Sequence, residues 1–167
     1  MPISCPIPFN APAEEEFKRL DYLVMQHAFA SHNTLGRFCD EAIDQADLAH
    51  RLRSAGLGPI AIEVPVRISW RTFTKTYSLD LTIRDAAICE LKAVAALTGE
   101  HKAQLLNYLL LLGQPRGKLI NFRPPSVESQ FVSTTLTPAD CRAVTFVDAR
   151  WHPVSYTHLT LPTKRIV

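Results

Sequence analysis

Three residues in one short stretch, Asp80, Glu90 and Lys92, have the types and the spacing to do chemistry together. They lie within Ser78 to Lys92, which reads SLDLTIRDAAICELK. Two runs of alternating apolar and polar residues flank a polar break at Arg84-Asp85, the pattern of a β-hairpin. Alternation puts Leu79, Leu81 and Ile83 on one face of the first run and Asp80 and Thr82 on the other. It sets Ala87, Cys89 and Leu91 against Ile88, Glu90 and Lys92 in the second. With the turn centred on Asp85, Asp80 and Glu90 lie directly across from each other, where paired Cβ atoms are about 5 Å apart. Two carboxylates that close repel unless positive charge sits between them, and a hard divalent cation with oxygen ligands is the usual solution. Lys92 points to the same side as Glu90. The stretch is a candidate metal-dependent hydrolytic site.

The rest of the chain must hold this hairpin in place. Residues 1–13 contain four prolines and no periodicity, and are expected to form an extended N-terminal arm. A helix is expected over Glu14 to Ala30, with Phe17, Leu20, Val24, His27 and Ala28 at helical spacing and three glutamates at its start. Ser31 to Gly36 reads as a break. A second helix is expected from about Arg37 to Arg53, with Phe38, Ala42, Ala46, Ala49 and Leu52 facing inward and Glu41 at the edge of that stripe. Ile60 to Ser69 is β-rich, with Pro65 marking an edge or a bulge. After the hairpin strands, Thr98 to Gly113 reads as an apolar helix on which His101, Gln104 and Tyr108 share a face. Lys118 to Phe122 and Val127 to Val132 read as strands. The expected order is α-α-β-β-β-α-β-β, an α/β arrangement in one domain over residues 14–150 with the hairpin in mid-sheet.

Bulk composition narrows the class without naming it. A hydrophobic fraction of 47% and a charged fraction of 20% are those of an ordinary globular protein. The net charge of +2 neither requires nor excludes nucleic acid, because a local basic groove can sit inside a near-neutral total. Cys5, Cys39, Cys89 and Cys141 form no CxxC pair, so a zinc or redox motif is not expected. Nothing resembles a signal peptide or a membrane span, and a cytoplasmic protein with no membrane partner is the expectation.

Several segments together resemble a known family. LGRFCDEAI (Leu35 to Ile43), YSLDL (Tyr77 to Leu81), CELKA (Cys89 to Ala93), HKAQLLNYLL (His101 to Leu110) and GKLINF (Gly117 to Phe122) are similar, in order and spacing, to the GxxExxY proteins. These are small members of the PD-(D/E)XK nuclease superfamily, near its RecB-like branch. The resemblance implies a restriction-endonuclease-like α/β core, a mixed central β-sheet flanked by helices. It implies a Mg2+- or Mn2+-dependent nuclease acting on nucleic acid, with DNA the expected substrate. Asp80 matches the metal-binding aspartate, and Glu90 with Lys92 matches the (D/E)xK pair. Glu41 matches the glutamate of the first core helix, and Gln104 with Tyr108 match a QxxxY pair. The backbone carbonyl of Leu91 would join Asp80, Glu90 and Glu41 as a metal ligand, and His101 would assist or contact substrate. One position departs: Asp44 stands where the family name has Tyr.

Each signal has a plainer explanation. A second acidic-x-Lys triplet, Glu16-Phe17-Lys18, falls on an expected helix, where residues two apart diverge. Glu90 and Lys92 on a solvated strand would be an ordinary ion pair worth little. Asp80 opposite and Gln104 downstream tip the reading toward a site. Arg67, Arg71, Lys75, Arg116, Lys118 and Arg123 are equally a phosphate-binding rim or a solvated surface. The alternative function is a catalytically inactive nuclease fold serving as a nucleic-acid-binding or scaffold protein. Finally, Val154 to Thr163 (VSYTHLTLPT) matches the translation of a common transposase-end sequencing adapter, so residues 154–167 are expected not to be native. A genuine Thr-rich tail is the alternative.

Overall fold

The polar break at Arg84 and Asp85 is a turn in which both residues take positive φ, 55° and 52°, the sense that matches the twist of the strands it joins. We describe it from a computed structural model covering residues 2–137, 139–140, 145–147 and 150–152. The turn links β3 (Phe73–Ile83) to β4 (Ala87–Lys92), in antiparallel register with Leu81 opposite Cys89 and Ile83 opposite Ala87. Extending that register by one residue sets Asp80 beside Glu90, as the alternation requires.

Outward from this hairpin, β3 pairs with β2 (Ile60–Trp70), which pairs with β1 (Ile3–Ser4). On the other side β4 runs parallel to β5 (Arg116–Asn121), and β5 is antiparallel to β6 (Glu128–Ser133). The strands stand in sequence order, β1-β2-β3-β4-β5-β6, so the sheet is mixed with one parallel pair. That pair needs a crossover, which α3 (Gly99–Leu112) supplies. A separate two-stranded sheet, β7 (Thr145–Val147) with β8 (Arg150–His152), was not anticipated. The suspected adapter residues 154–167 lie outside the described residues. So does Cys141.

Two helices precede the sheet, and both differ from their expected bounds. The first, α1 (Glu14–Leu35), continues through Ser31 to Leu35 because Ser31 and His32 are themselves buried on its inner face. It stops at Gly36, whose φ of 78° the helix cannot continue and whose N–H bonds to the His32 carbonyl. The second, α2 (Glu41–Ser54), begins four residues later than expected, after Asp40. This shift corrects the inner stripe: Asp44, Gln45, Leu48, Ala49 and Leu52 face inward, whereas Ala42 and Ala46 are exposed. Phe38 lies outside the helix altogether and is 77% exposed.

The helices cover opposite faces of the sheet. Phe17, Leu20 and Val24 of α1 and Leu48 and Leu52 of α2 pack on Leu81, Ile83, Cys89 and Leu91. Leu105, Tyr108 and Leu109 of α3 pack on Val64, Val66, Leu79, Ile88 and Leu119. The N-terminal arm closes the second layer with Ile3, Cys5, Ile7 and Phe9. Each such large side chain contributes about 1.5–3 kcal/mol of burial. Here the expected alternation of β3 needs correction. Leu79 belongs to the α3 layer, while Leu81 and Ile83 belong to the α1–α2 layer. The change of side falls at Asp80.

Candidate active site

Asp80 sits where the β2–β3 ladder is interrupted. Ile62 pairs with Leu81 and Val64 with Leu79, but Glu63, which would face Asp80, is missing from the ladder and has φ of 51°. A left-handed residue in a strand turns its peptide groups away from the neighbour. The carbonyl of Asp80 is bonded instead by a side chain from α2: Gln45 Nε2 donates to it at 2.8 Å and also reaches Glu63 Oε1 at 2.8 Å. Ser78 Oγ donates to the other Glu63 oxygen at 2.7 Å.

Four charged side chains from three elements converge beyond this point. Lys92 Nζ lies 2.7 Å from Glu90 Oε1, 3.8 Å from Asp80 Oδ2 and 4.0 Å from Glu41 Oε1. Main-chain donors fix two of the acids: Leu91 N–H bonds to Asp80 Oδ2 at 2.8 Å, and Ala93 N–H to Glu41 Oε2 at 3.2 Å. Asn121 of β5 holds the strand just past Lys92, accepting from Val94 N–H and donating to its carbonyl. Arg123 Nε donates to the Ala93 carbonyl.

The electrostatics follow from crowding acids in a dry place. Glu90 is fully buried, and burial together with the neighbouring Asp80 charge pushes its carboxyl up to about 8. Asp80 is likewise raised, by burial first and then by Glu41 and Glu63, against the opposing pull of Leu91 N–H and Lys92. Burial alone would favour a neutral Lys92, but its bond to Glu90 and the charges of Glu90, Asp80 and Glu41 outweigh that and raise it. Lys92 is therefore a firmly protonated ammonium, not a base.

Among the described residues no three acidic, His or Cys side chains form a ready-made metal cage, since Lys92 stands between the acids. The donor set nevertheless fits a hard cation. Glu90 Oε2 is buried and has no hydrogen-bond partner among the described residues. An orphaned carboxylate oxygen beside a second raised carboxylate is a place that added positive charge would stabilise.

The other expected site residues are placed unevenly. Gln104 donates to Tyr108 Oη at 3.1 Å and makes no bond to Lys92. Tyr108 is buried between α3 and the sheet, its ring 5.9 Å from that of Tyr77, and feels the charges of Glu90 and Asp80. His101 caps its own helix: its Nδ1 accepts from Thr98 N–H at 3.0 Å. Asp44 is buried, 2% exposed, and burial pushes it up to about 6 against the opposing charges of His32 and Arg123. The suggested rim divides. Arg67, Arg71 and Lys75 are exposed, whereas Lys118 is buried in a 3.0 Å pair with Asp21 and Arg116 reaches Glu14. Cys89 is core, its thiol pushed up to about 12 by burial.

Gln45 and Glu63 were missed as site residues, and Arg123 was expected only as one cation of a possible phosphate-binding rim. Gln45 follows Glu41 by four residues and so shares its helix face, a signal that was available. Glu63 left only its position in an apolar strand, and its backbone conformation left no trace.

Comparison with known proteins adds a family. A family model described as the PD-(D/E)XK nuclease superfamily matches residues 18–133, which include every side chain of the cluster. No curated protein is significantly similar. Among solved structures, a crystal structure of SSO0001 aligns at 21% identity with a TM-score of 0.41, over 75% of this chain and 62% of that one. The chain thus spans less than two thirds of that protein's length.

Proposed function

This chain belongs to the PD-(D/E)XK nuclease superfamily, and from that premise we propose that it hydrolyses phosphodiester bonds of nucleic acid, DNA foremost, with Mg2+ or Mn2+. The observation that carries the reading is the convergence of Asp80, Glu90 and Glu41 on Lys92, with Glu90 Oε2 buried and unpartnered.

Asp80 and Glu90, with the Leu91 carbonyl, would hold the cation, and Glu41 would complete the set directly or through water. When bound, the cation supplies Lewis-acid charge to the reacting phosphate. Lys92 places a positive charge where the phosphate's negative charge builds. It also orients the attacking water. Gln104 positions the substrate backbone and Tyr108 supports Gln104 through their shared hydrogen bond. His101, its Nδ1 committed to the cap, has Nε2 left to contact substrate.

The finer grouping with the GxxExxY proteins and the RecB-like branch rests on the motif order. Three residues before Glu41 stands Phe38, and three after it Asp44, in place of the Gly and Tyr that the family name spells. No helix among the described residues is long and apolar enough to cross a membrane. We place the protein in the cytoplasm as part of the same proposal.

The test is cleavage of labelled single- and double-stranded DNA and RNA with Mg2+, Mn2+ or EDTA, wild type beside Asp80→Ala. Metal-dependent cutting that disappears in the variant is the expected result. Binding by both proteins with no cutting by either would replace this reading with the scaffold one.

A further inference from the structure

Residues 36–40, between α1 and α2, carry the most exposed of the large apolar side chains among the described residues, Phe38 at 77%. Two guanidinium groups lie over its ring, Arg37 Cζ at 5.1 Å from the centroid and Arg123 Cζ at 6.0 Å. Arg123 is tied down, with Nε donating to the Ala93 carbonyl at 3.1 Å and Nη2 to the Cys39 carbonyl at 3.5 Å. Ala93 follows Lys92, and its N–H bonds to Glu41 Oε2. The ring is thus joined to the carboxylate cluster through Arg123 and Ala93, and also along the chain, three residues before Glu41.

Single exposed aromatics are common on protein surfaces and need no explanation. Phe38 differs in its company. Both side-chain hydrogen bonds of Arg123 end on neutral carbonyls, and among the described residues neither Arg37 nor Arg123 has a carboxylate within 4.0 Å. An apolar ring between two cations that form no direct ion pair among the described residues, beside a cluster suited to phosphate chemistry, complements a ligand with flat apolar faces and a polyanionic backbone. Nucleic-acid strands have that chemistry, and aromatic rings in basic grooves stack their bases. Inside a duplex both faces of each base are covered by neighbours. A surface ring can therefore reach at most the two terminal pairs of a blunt duplex, whereas every base of a single strand is open to it.

We propose that Phe38, framed by Arg37 and Arg123, stacks on an unpaired base of a DNA strand next to the bond cut at the Asp80–Glu90–Lys92 cluster. This rests on the nuclease reading and adds to it that the substrate is single-stranded or locally opened. Arg37 meets a backbone phosphate, and Arg123 holds the ring at a fixed distance from Glu41.

Binding of a labelled single strand and a blunt duplex of the same length, measured by fluorescence anisotropy in EDTA, separates this from catalysis. Phe38→Ala should weaken single-strand binding about tenfold and change duplex binding less than twofold, with Phe38→Trp restoring it. Arg37→Ala should lower the salt dependence of binding by somewhat less than one phosphate contact, and Phe38→Ala should leave it unchanged. Equal single-strand binding by wild type and Phe38→Ala overturns the proposal, as does a wild-type preference for the blunt duplex. Tighter Phe38-dependent binding of an RNA strand overturns the choice of DNA. Phe38-dependent binding by a protein that never cuts would keep the stacking contact and discard the nuclease reading. Cutting with no role for Phe38 would do the reverse.

Discussion

Gln45 Nε2 donates a 2.8 Å hydrogen bond to the main-chain carbonyl of Asp80, at the one place where Glu63 leaves the β2–β3 ladder. A helix side chain there does the work of a strand. Gln45→Ala would leave that carbonyl without its partner, at a cost of about 1–3 kcal/mol, and would free Asp80 to shift against Glu90. We expect a lower Tm and a fall in kcat of about tenfold with KM little changed, since misplacing a catalytic group by about 1 Å is that costly or more. Unchanged turnover in Gln45→Ala would show that Asp80 is held by its strand alone.

Lys92→Ala removes the ammonium at the centre of the cluster. Turnover should fall by about a hundredfold or more, measured as single-turnover cleavage. The fold should survive, because Glu90 already prefers its proton up to about pH 8 and can stay neutral without its partner. A variant with full activity would sink the role given to Lys92.

Cation binding and the Glu90 proton compete. Affinity for Mn2+, read as the rise in Tm on its addition, should increase with pH toward about 8, by at most about tenfold per unit, and then level off. EDTA should reverse the rise, and Asp80→Asn should abolish it. In the cation-free protein the raised Glu90 value has a fixed sign. Its contribution favours folding fully below the unfolded carboxyl value and is lost as pH rises through about 8.

Asp44 gives a second pH signature. Its value of about 6 lies above its ordinary 3.8, so it stabilises the fold below pH 4 and loses that contribution as pH rises through 6. One of its oxygens is buried without a hydrogen-bond partner among the described residues. Asp44→Asn should flatten the fall in Tm between pH 4 and 7 and raise stability at neutral pH by on the order of 2 kcal/mol. A Tm–pH curve identical to wild type would mean that the carboxylate is paired in solution.

Gly117 in β5 has no room for a side chain: an added Cβ would meet the Ile88 carbonyl at 3.0 Å, Leu105 at 3.1 Å and Leu109 at 3.2 Å. Strand and helix approach too closely for more than hydrogen. Gly117→Ala should cost about 1–3 kcal/mol, seen as a lower denaturation midpoint. An unchanged midpoint would show that α3 can move off the sheet freely.

The sequence by itself determined the hairpin, its register and the meeting of Asp80, Glu90 and Lys92. Period-2 alternation around a turn fixes which residues share a face, and that rule is local. Five of the six strands, with α3 between the third and fourth of them, were legible for the same reason, whereas the edge strand β1 lies in the proline-rich arm, which has no period to read. The tertiary structure alone decided the start of α2, because burial of Asp44 and Gln45 overrode the apolar stripe that had placed Phe38 inside. It also decided that β3 changes sides at Asp80. A left-handed Glu63 on the neighbouring strand and a glutamine on a helix produce that geometry, and their partners lie 18 and 35 residues from Gln45. Contacts between distant segments follow from packing the whole chain, and no local period encodes them.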